Sequence, residues 1–466
     1  MKNKKNVYKI AYIALALLVC VIPFACMTFA RTDTTTENHR LKEFPKLRTE
    51  EAGFNVAFLS ELGAYFEDHF AFRNQIVAAD GVTQGLFGVS TAEGVIKGTD
   101  GWLYYTSSAP DYQRLNVFTD RAAKNAAENL WLTQFYVESQ GADFVLAVAP
   151  NKNSLYPEHM PYYYPAGSGE TSIEKLTPLL DKYEVNYADL FALFRAQDET
   201  LYLMRDSHWN NKGALLAYNA IADAAGMAHE TYAAAAVTRV KDEIGDLGKM
   251  AYSVAAKPEW NYRYDIGQTY TYVTPTKSVE DALIITENAD AKGTLLMFRD
   301  SFGNTLLPFF AQNSGKAVFT KTVPYLLDLY MGTYRPDTVI AEKVERNLGD
   351  FAKNPPVFPA PVFVLQDTPV PSADGCTVST AVTEYDTRFT AVSGTLDTAL
   401  DYDAVYVVTG GLAYRAFTVS TENGDNGYLA YLLQGTADGA ETEIWIFADG
   451  QLFTLSAAAD TQEETK

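Results

Sequence analysis

Hydrophobic and polar residues are arranged in three different patterns along the chain. Residues 10–30 are apolar almost throughout, a run of about 20 residues that is long enough to cross a bilayer as one helix. Up to about residue 350, short apolar runs such as 142–150 and 293–298 alternate with segments of helical spacing such as 120–141. This alternation predicts an α/β domain with a mostly parallel sheet, and sites in such sheets gather at the carboxyl ends of the strands.

The C-terminal part of the chain has the third pattern. Segment 353–371 contains six prolines and is predicted to be a linker. After it, short runs rich in Tyr, Val and Thr are separated by turn residues such as Asp449-Gly450, which is typical of a small all-β domain of sandwich type. The predicted organisation is a basic tail and transmembrane helix in 1–31, an α/β domain in 32–352, the linker, and a β domain in 372–466.

The N-terminus combines basic residues with the long apolar run. Lys2, Lys4, Lys5 and Lys9 precede the run, and no acidic residue occurs before Arg31. A cleavable signal peptide has a shorter apolar region and a small-x-small cleavage site, and the ending "CMTFA" is a poor match to such a site. The run is therefore predicted to be an uncleaved signal anchor. Because positive charge stays in the cytoplasm, the bulk of the chain is predicted to lie outside the cell membrane.

Net charge and cysteine content exclude several classes of protein. The formal net charge is −21, so binding of nucleic acid through a broad basic face is not expected. Two of the three cysteines, Cys20 and Cys26, lie in the predicted anchor, which leaves only Cys376 in the outer part. An internal disulfide is excluded there and CxxC motifs are absent, so neither a metal nor a cofactor is predicted. The outer part must be stabilised by its core alone.

A serine follows the apolar run 295–298 at the point where a helix is predicted to begin. Asn304 is a suitable N-cap for a helix over 305–311, with Pro308 in its first turn. Ser301 is therefore predicted to lie on a strand-to-helix turn at the carboxyl edge of the sheet, close to N–H groups that can hold an oxyanion. A serine alone is a weak nucleophile and needs a base.

His208, one of five histidines, can be that base. It follows Asp206 by two residues, and a carboxylate at this separation can fold back to accept the imidazole Nδ1–H, which leaves Nε2 facing the serine. Two simpler interpretations stay open: Asp206 and His208 as a helix-capping or mutually satisfied polar pair, and Asp300-Ser301 as a helix cap. A zinc site at His208 and Asp206 is a poorer interpretation, because no His-rich or Cys-rich partner is in view.

Several motifs resemble a known family. The sequence "DSHWNNKGALLAYNAI" is similar to the Asp-x-His-Trp motif and following helix of the DHHW / AlgJ-AlgX family of SGNH-hydrolase-like proteins. Six further blocks occur in the order that this family shows: "YFEDHFAFRNQI", "VIKGTDGWLYY", "VAPNKNSLYPEHMP", "GDLGKM", "FRDSFG" and "PDTVIAEKVERNL". The resemblance covers roughly residues 37–350 and leaves out the C-terminal β domain.

The resemblance implies a three-layer SGNH-hydrolase-like domain with a triad of Ser301, His208 and Asp206. It also implies an extracytoplasmic O-acetyltransferase or acetylesterase that acts on cell-surface or exported polysaccharide, often beside a membrane-bound O-acyltransferase that delivers the acetyl group. The expected mechanism is ping-pong: Ser301, deprotonated by His208, takes the acetyl group, and a sugar hydroxyl or water then receives it. A non-catalytic glycan-binding scaffold of the same fold is the remaining alternative.

The sequence departs from the family motif just before the serine. The residue that precedes Asp-Ser is usually Gly, and here it is Arg299. The Ser301 N–H is expected to remain one oxyanion donor, and a second is expected from Asn151 or Lys152 in "PNKNS", or from Asn304. Arg299 itself stays a candidate for contact with the substrate or oxyanion. A plain strand-ending turn is the alternative for "PNK".

Ser207 and the segment "EKVERNL" have simple interpretations. Ser207 occupies the second position of the DHHW motif and is expected to point away from the site. Glu342, Glu345 and Arg346 lie near a strand end and are expected to form an internal ion pair that braces the site rather than to take part in catalysis.

Aromatic side chains are candidates for sugar stacking. Tyr163, within the run "YYYP", is the preferred candidate for a sugar platform. Trp102 follows a predicted hairpin and is expected in the core, and Trp209 is expected to pack so that it holds His208.

Overall fold

The computed structural model of the chain describes residues 2–30, 41–49, 53–86, 92–323, 325–364, 370–437 and 441–457. The helices in these residues are α1 Lys2–Ala30, α2 Phe58–His69, α3 Arg73–Leu86, α4 Ala109–Tyr112, α5 Asp120–Ser139, α6 Lys152–Leu155, α7 Ser172–Lys182, α8 Leu190–Arg195, α9 Asn211–Ala224, α10 Asp246–Tyr252, α11 Leu307–Gln312, α12 Leu327–Tyr334 and α13 Gly349–Lys353.

The strands of the first part of the chain are β1 Arg48–Thr49, β2 Gly53–Phe54, β3 Val95–Lys97, β4 Leu103–Tyr105, β5 Asp143–Ala149, β6 Tyr187–Ala188, β7 Val237–Glu243, β8 Glu259–Tyr264, β9 Thr271–Tyr272, β10 Leu283–Glu287, β11 Thr294–Phe298, β12 Lys316–Thr320 and β13 Thr338–Val344. The strands of the C-terminal part are β14 Val362–Phe363, β15 Ser372–Val378, β16 Ala381–Glu384, β17 Phe389–Asp397, β18 Tyr402–Thr409, β19 Leu412–Thr421, β20 Gly424–Leu433, β21 Thr442–Ala448 and β22 Gln451–Ala457.

Helix α1 contains the predicted anchor. Within the described residues, Tyr8–Ala30 is the one helical stretch that is long and apolar enough to cross a membrane, with a mean hydropathy of 2.6. A helix of this length spans the hydrocarbon core of a bilayer. The finding agrees with a membrane anchor by length and composition.

The central sheet has seven strands in the order β6-β5-β13-β11-β12-β10-β9. Strands β6, β5, β13, β11 and β12 are parallel to their neighbours, and β10 runs antiparallel to β12. The α/β class with a mostly parallel sheet is therefore confirmed. Parallel strands bring their carboxyl ends to one edge, so β5, β11 and β13 deliver the residues that follow them to the same place.

Two apolar layers cover this sheet because its strands alternate their side chains between two faces. On β11, Leu296 and Phe298 pack with helices α5, α7 and α12, whereas Leu295 and Met297 pack with α8, α9 and α11. Helices on both faces produce the predicted three-layer arrangement. The near-continuous apolar run 294–298 follows from this double burial.

The C-terminal part is all-β, as predicted. Its nine strands form one sheet in the order β14-β19-β18-β21-β22-β15-β17-β16, and β20 pairs with both β17 and β19. The pairing therefore closes on itself, and the sandwich-like packing takes the form of one continuous sheet around an apolar core. Alternate residues of β18 and β21, such as Val405, Val407, Ile444 and Ile446, fill that core.

The first part of the proline-rich segment, residues 355–360, is packed rather than extended into solvent. Val357 and Phe358 are fully buried, and the Val357 N–H donates to the Tyr325 carbonyl at 2.9 Å. Phe358 stacks on Tyr136 of α5 and contacts the edge of Phe417 of β19. The segment thus joins the two regions through a shared apolar contact, although the boundaries of the predicted linker stay a prediction.

Candidate active site

The candidate site lies at the carboxyl edge of the central sheet. Ser301 comes three residues after the end of β11, Asn151 two residues after the end of β5, and Glu345 directly after β13. The adjacent order β5-β13-β11 brings the three strand ends together. The site therefore occupies the edge that the sequence predicted.

Three side chains from two distant segments form a continuous chain of hydrogen bonds. His208 Nδ1 lies 2.6 Å from Asp206 Oδ1, and His208 Nε2 lies 2.8 Å from the Oγ of Ser301, which is 93 residues further along the chain. Because the Asp206 carboxylate can only accept, His208 carries its proton on Nδ1, and Nε2 accepts from the Ser301 hydroxyl. The structure thus brings together the three residues of the predicted triad.

Backbone N–H groups hold the Asp206 carboxylate in this orientation. Oδ1 also accepts from the His208 N–H at 3.0 Å, and Oδ2 accepts from the Asp246 N–H at 3.0 Å. A β-bridge between Tyr202 and Trp209 closes the loop that carries both side chains. Asp206 is therefore fixed before any substrate arrives.

The carboxylate beside His208 sets the protonation state of both groups. Burial alone would lower the pKa of His208, but attraction to Asp206 and the hydrogen bond between them outweigh it, so this pKa lies above its ordinary value. Burial alone would raise the pKa of Asp206, but the charge of His208 and hydrogen bonds lower it on balance. Asp206 thus stays ionised at neutral pH, and His208 becomes a proton acceptor only above its raised pKa.

Ser301 begins a short 3₁₀ turn, Phe302–Asn304, that follows β11. Asp300 holds this turn, because its Oδ1 accepts from the Phe302 N–H at 2.9 Å and its Oδ2 from the Val344 N–H at 2.8 Å. Asp300 thus binds mainly backbone N–H groups, with a longer contact from Asn347 Nδ2 at 3.4 Å, while the Ser301 hydroxyl points at His208. The alternative in which Asp300-Ser301 caps a helix holds in part: Asp300 accepts from the first N–H of the 3₁₀ turn, whereas the Ser301 hydroxyl makes no cap hydrogen bond.

The helix after this turn starts later than predicted. Asn304 is not its N-cap: α11 begins at Leu307, after Leu306, which has no side-chain cap. The 3₁₀ turn takes up the residues that the sequence assigned to the first helical turn, and Pro308 then lies near the true start.

The backbone N–H of Ser301 is available to a ligand. It makes no hydrogen bond within the described part of the chain, whereas the next N–H, of Phe302, is taken by Asp300. A free N–H beside the nucleophile is suited to hold a developing oxyanion, which agrees with the expected role of Ser301 N–H.

Aromatic packing positions the imidazole. The ring of Phe302, which is fully buried, lies 4.7 Å from the His208 ring and meets Trp209 edge to face at 5.0 Å. Trp209 Nε1 donates to Thr305 Oγ1 at 2.6 Å, so the loop that carries His208 is tied to the segment that carries Ser301. Trp209 is buried packing, as expected.

Lys152 does not face the serine, contrary to expectation. Its Nζ donates to the carbonyls of Leu203 and Met204, both at 3.1 Å, and of Asp206 at 2.5 Å. Burial lowers the pKa of Lys152 to about 8. All three ammonium protons are thus used to hold the loop of His208. The three carbonyls of that loop point toward Lys152, whose long side chain reaches them.

Asn151 is also occupied elsewhere. Its side-chain Nδ2 donates to Asp111 Oδ2 at 2.9 Å, its Oδ1 accepts from Arg346 at 3.4 Å, and its backbone N–H donates to Glu345 at 2.9 Å. The side chains of Asn151 and Lys152 thus have other partners in this structure, and the expectation that one of these residues supplies an oxyanion donor stays a prediction.

Arg299 and Asn304 contact each other rather than the serine. Arg299 Nη1 donates to Asn304 Oδ1, and Nη2 donates to the Val279 carbonyl at 2.9 Å. Asn304 Nδ2 in turn donates to Glu280. Both side chains bind the loop before β10, and the candidate role of either toward an oxyanion or substrate stays a prediction.

Tyr163 and Trp102 differ in exposure. Tyr163 is 50% exposed and lies between Tyr162 and Tyr164, with ring centroids 5.4 and 5.5 Å away. Its role as a sugar platform stays a prediction. Trp102 is buried and stacks on His159 at 4.5 Å, as expected of a core residue.

The residues of "EKVERNL" do not form the expected ion pair. Within the described residues, Arg346 makes no salt bridge to Glu342 or Glu345; its guanidinium lies over the rings of Phe302 and Tyr105, at 5.7 and 5.2 Å. Glu345 instead accepts from Ser154 and Asn151, and burial raises its pKa to about 7. Arg346 was expected to be neutralised in a salt bridge. It lies instead as a cation against two aromatic rings close to the site.

Ser207 and Asp246 are the site residues whose contacts sequence reasoning missed. Ser207 does not point away: its Oγ lies 3.2 Å from His208 Nδ1 and donates to Asp246 Oδ2 at 2.5 Å. Asp246 belongs to the family-like block "GDLGKM", and that block was the only sequence signal for it. Nothing in its spacing predicts a contact with a residue 40 positions earlier.

The acidic groups around His208 are already engaged in hydrogen bonds. The ligand-type atoms of Asp206, His208 and Asp246 lie within 4.8 Å of one another. Each is already used: His208 Nδ1 by Asp206, Asp206 Oδ2 by the Asp246 N–H, and Asp246 Oδ2 by Ser207. A metal ion would have to displace these contacts.

Comparisons with known proteins agree with the geometry. Residues 95–296 match the family described as SGNH hydrolase-like domain, acetyltransferase AlgX. This range includes Asp206, His208 and Asp246 and ends before Ser301. A probable alginate O-acetylase AlgJ of Pseudomonas syringae pv. tomato is 33% identical over 129 residues, which are 27% of this chain and 31% of that protein. The chain thus matches less than a third of the length of this curated relative.

Two solved structures are also similar in part. Bacillus cereus PatB1 aligns over 55% of this chain and 96% of its own, with 17% identity and a TM-score of 0.45. A DHHW family protein from Eubacterium siraeum aligns over 56% of this chain and 93% of its own, with 18% identity and a TM-score of 0.43. The family model and the AlgJ relative confirm the resemblance drawn from the motifs: residues 95–296 of this chain are similar to the SGNH hydrolase-like domain of the acetyltransferase AlgX.

Proposed function

We propose that the chain is a membrane-anchored, extracytoplasmic serine O-acetyltransferase that modifies exported or cell-surface polysaccharide. The observation that carries the proposal is the hydrogen-bonded chain Asp206–His208–Ser301, with distances of 2.6 and 2.8 Å. Nucleophile, base and orienting carboxylate in this order are what acyl transfer through serine requires. The name of the AlgJ relative, an alginate O-acetylase, supports acetyl as the transferred group and polysaccharide as the acceptor.

The first half-reaction transfers acetyl to the enzyme. The Ser301 Oγ attacks the acetyl carbonyl carbon while His208 Nε2 takes the hydroxyl proton. Asp206 stabilises the imidazolium that forms, and the free Ser301 N–H donates to the oxyanion. The tetrahedral intermediate collapses, the bond from the acetyl carbon to the donor group breaks, and His208 returns its proton to that leaving group. Ser301 is left as an acetyl ester.

The second half-reaction transfers acetyl to the sugar. A sugar hydroxyl gives its proton to His208 Nε2 and attacks the acetyl ester, and the Ser301 hydroxyl is restored when the proton returns to Oγ. Water in place of the sugar would make the same site an acetylesterase. Anchoring by α1 would place this chemistry beside a membrane-bound O-acyltransferase, which we propose as the partner that supplies the acetyl group.

The first experiment uses the full-length chain purified in detergent. Incubation of the wild type with 4-nitrophenyl acetate should release nitrophenolate and leave one acetyl group on Ser301, detected by peptide mass spectrometry. Ser301→Ala should lose both signals, and the exposed Ser60→Ala on α2 is the matched control that should keep them. Equal, slow release by the wild type and Ser301→Ala would reject a catalytic serine and favour a binding scaffold.

A second experiment separates transferase from esterase. Glycan oligomers are added to the acetylated enzyme, and their masses are followed together with free acetate. Acetylated oligomer that appears at the expense of free acetate supports the transferase. Acetate release that oligomers do not change supports the esterase.

A further inference from the structure

A second carboxylate lies behind the imidazole, on the first turn of α10. Asp246 Oδ2 accepts from Ser207 Oγ at 2.5 Å and lies 3.8 Å from His208 Nδ1. Asp246 Oδ1 accepts from the Ser207 N–H at 2.8 Å. The backbone N–H of Asp246 donates to Asp206 Oδ2 at 3.0 Å. One residue therefore contacts two members of the loop, Asp206 through its backbone and Ser207 through its side chain.

The direction of the Ser207 hydroxyl follows from these contacts. A carboxylate can only accept, so the Ser207 proton points to Asp246 and the oxygen lone pairs are left facing His208 Nδ1, 3.2 Å away. In that orientation Ser207 can accept from Nδ1–H but cannot donate to Nδ1. It thus adds a second acceptor beside Asp206 for the same proton, and it disfavours the tautomer that has its proton on Nε2.

Among the described residues, three charged groups act on this imidazole, and a fourth lies close to two of them. Asp206 and Asp246 favour its charged form, and Arg346, beyond β13, opposes it. Lys152, on α6, is attracted to both carboxylates and donates to the Asp206 carbonyl. The Asp246 side chain takes no part in the direct contact between Asp206 and His208, so its charge can be removed while that contact is kept.

We propose that Asp246 is a positioning residue: through Ser207 it holds the His208 proton on Nδ1, and through its backbone N–H it fixes the Asp206 carboxylate. The proposal rests on the proposed function for its catalytic meaning, because a serine proton can be accepted only at a bare Nε2. The contact itself does not depend on activity.

The test measures the imidazole directly. The full-length chain in detergent micelles is labelled with ¹⁵N-histidine, His208 is assigned by the spectrum of His208→Asn, and its titration and ring ¹⁵N shifts are followed by NMR. Asp246→Asn removes the charge and keeps the backbone N–H to Asp206. It should lower the pKa of His208 by about one pH unit, since an opposite charge at this distance shifts a pKa by about that amount or more.

A matched control is available on the preceding strand. Asp242→Asn removes an acidic charge four residues away, from an exposed side chain that pairs with Arg263, and it should leave the His208 titration unchanged. Ser207→Ala should give a smaller decrease of the His208 pKa, and it serves as the deciding variant if Asp246→Asn does not melt cooperatively. An unchanged His208 titration in Asp246→Asn, or in Ser207→Ala where the first variant does not fold, would overturn the proposal.

Kinetics connect this measurement to catalysis. The acid limb of acetyl-ester hydrolysis should move to lower pH in Asp246→Asn by the same amount as the NMR titration, with a lower kcat at the plateau. If the wild type hydrolyses no ester while the NMR shifts follow the expectation, the proposed function fails and the positioning contact stands. If the wild type is active and the titration of Asp246→Asn equals that of wild type, only the positioning role fails.

Discussion

The histidine loop, residues 203–209, and the serine turn, residues 299–304, meet at one hydrogen bond but are held by different kinds of contact. Buried charges from other elements hold the histidine loop: Lys152 binds three of its carbonyls, and Glu259 accepts from the N–H groups of Met204 and Arg205 at 2.9 and 2.7 Å. The serine turn continues β11 directly and is held mainly by its own Asp300.

The difference has a simple physical cause. Backbone groups in a loop without regular structure have no partner strand, so buried ones must be satisfied by side chains. A 3₁₀ turn at the end of a strand satisfies part of its own backbone. We therefore expect substitutions of buried charges to cost more around the histidine loop than around the serine turn. Paired substitutions of two buried glutamates, described last among the three predictions below, test that expectation directly.

The largest effect is expected where the two regions touch. His208→Ala removes the base outright, whereas Asp206→Asn leaves an imidazole that is held in the wrong tautomer, so His208→Ala should lose at least as much ester-hydrolysis rate, about 10⁴-fold. Measurements of kcat/KM on both variants check this. His159→Ala is the control, because His159 belongs to another segment and stacks on Trp102. A larger loss in Asp206→Asn would contradict the assigned roles.

A smaller effect, mainly on stability, is expected for the lysine that holds the histidine loop. Lys152→Met keeps the length of the side chain but leaves three carbonyls without their donor, which should cost about 3 kcal/mol of unfolding free energy. Chemical denaturation of the full chain measures this. Lys175→Met, which loses only a surface pair with Asp120, is the control and should change stability by about 0.5 kcal/mol or less. Equal stability of the two variants would show that the carbonyls find other partners.

The smallest effects distinguish two buried glutamates. Both oxygens of Glu259 accept from N–H groups of the histidine loop, so Glu259→Gln loses one acceptor and should cost about 1–2 kcal/mol. Within the described residues, Glu342, behind the serine turn, accepts one hydrogen bond, from the Asp300 N–H, and burial raises its pKa well above the ordinary value. Gln in its place keeps an oxygen that can accept from the same N–H, so Glu342→Gln should change stability by less than about 0.5 kcal/mol.

The test depends on which of the two glutamate substitutions lowers the unfolding free energy more. The same denaturation curves are measured for both variants at neutral pH, so that only the region differs. If Glu342→Gln destabilises more than Glu259→Gln, the serine turn depends on buried charge more than the histidine loop does. The expectation drawn from the loop geometry would then be wrong.

Strand and helix patterns predicted most of the fold. The apolar runs that became β5, β11 and β13 are buried on both faces, so their composition identifies them without knowledge of partners. The start of α11 was missed because 3₁₀ turns are frequent at the ends of α-helices, and the sequence did not separate the turn Phe302–Asn304 from the helix that follows it. The family match supports the α/β architecture and reaches residue 296, short of the serine.

The candidate site was predicted for some residues and not for others. Asp206 and His208 are two residues apart, so their contact depends on local geometry and the sequence could suggest it. Asn151, Lys152, Arg299 and Asn304 were expected to face the serine because they lie near strand ends. Being near a strand end does not determine where a long or branching side chain points, and each of these found a closer polar partner.

The sequence by itself determined the alternation of strands and helices, the apolar N-terminal helix and the placement of Ser301 and His208 at strand and loop ends, because these follow from local periodicity and turn chemistry. Only the tertiary structure decided that His208 and Ser301 lie 2.8 Å apart, that Lys152 supports the loop, and that Asp246 reaches Ser207. Those contacts join residues far apart in the chain, and the packing of whole elements sets their distances, which no local pattern records.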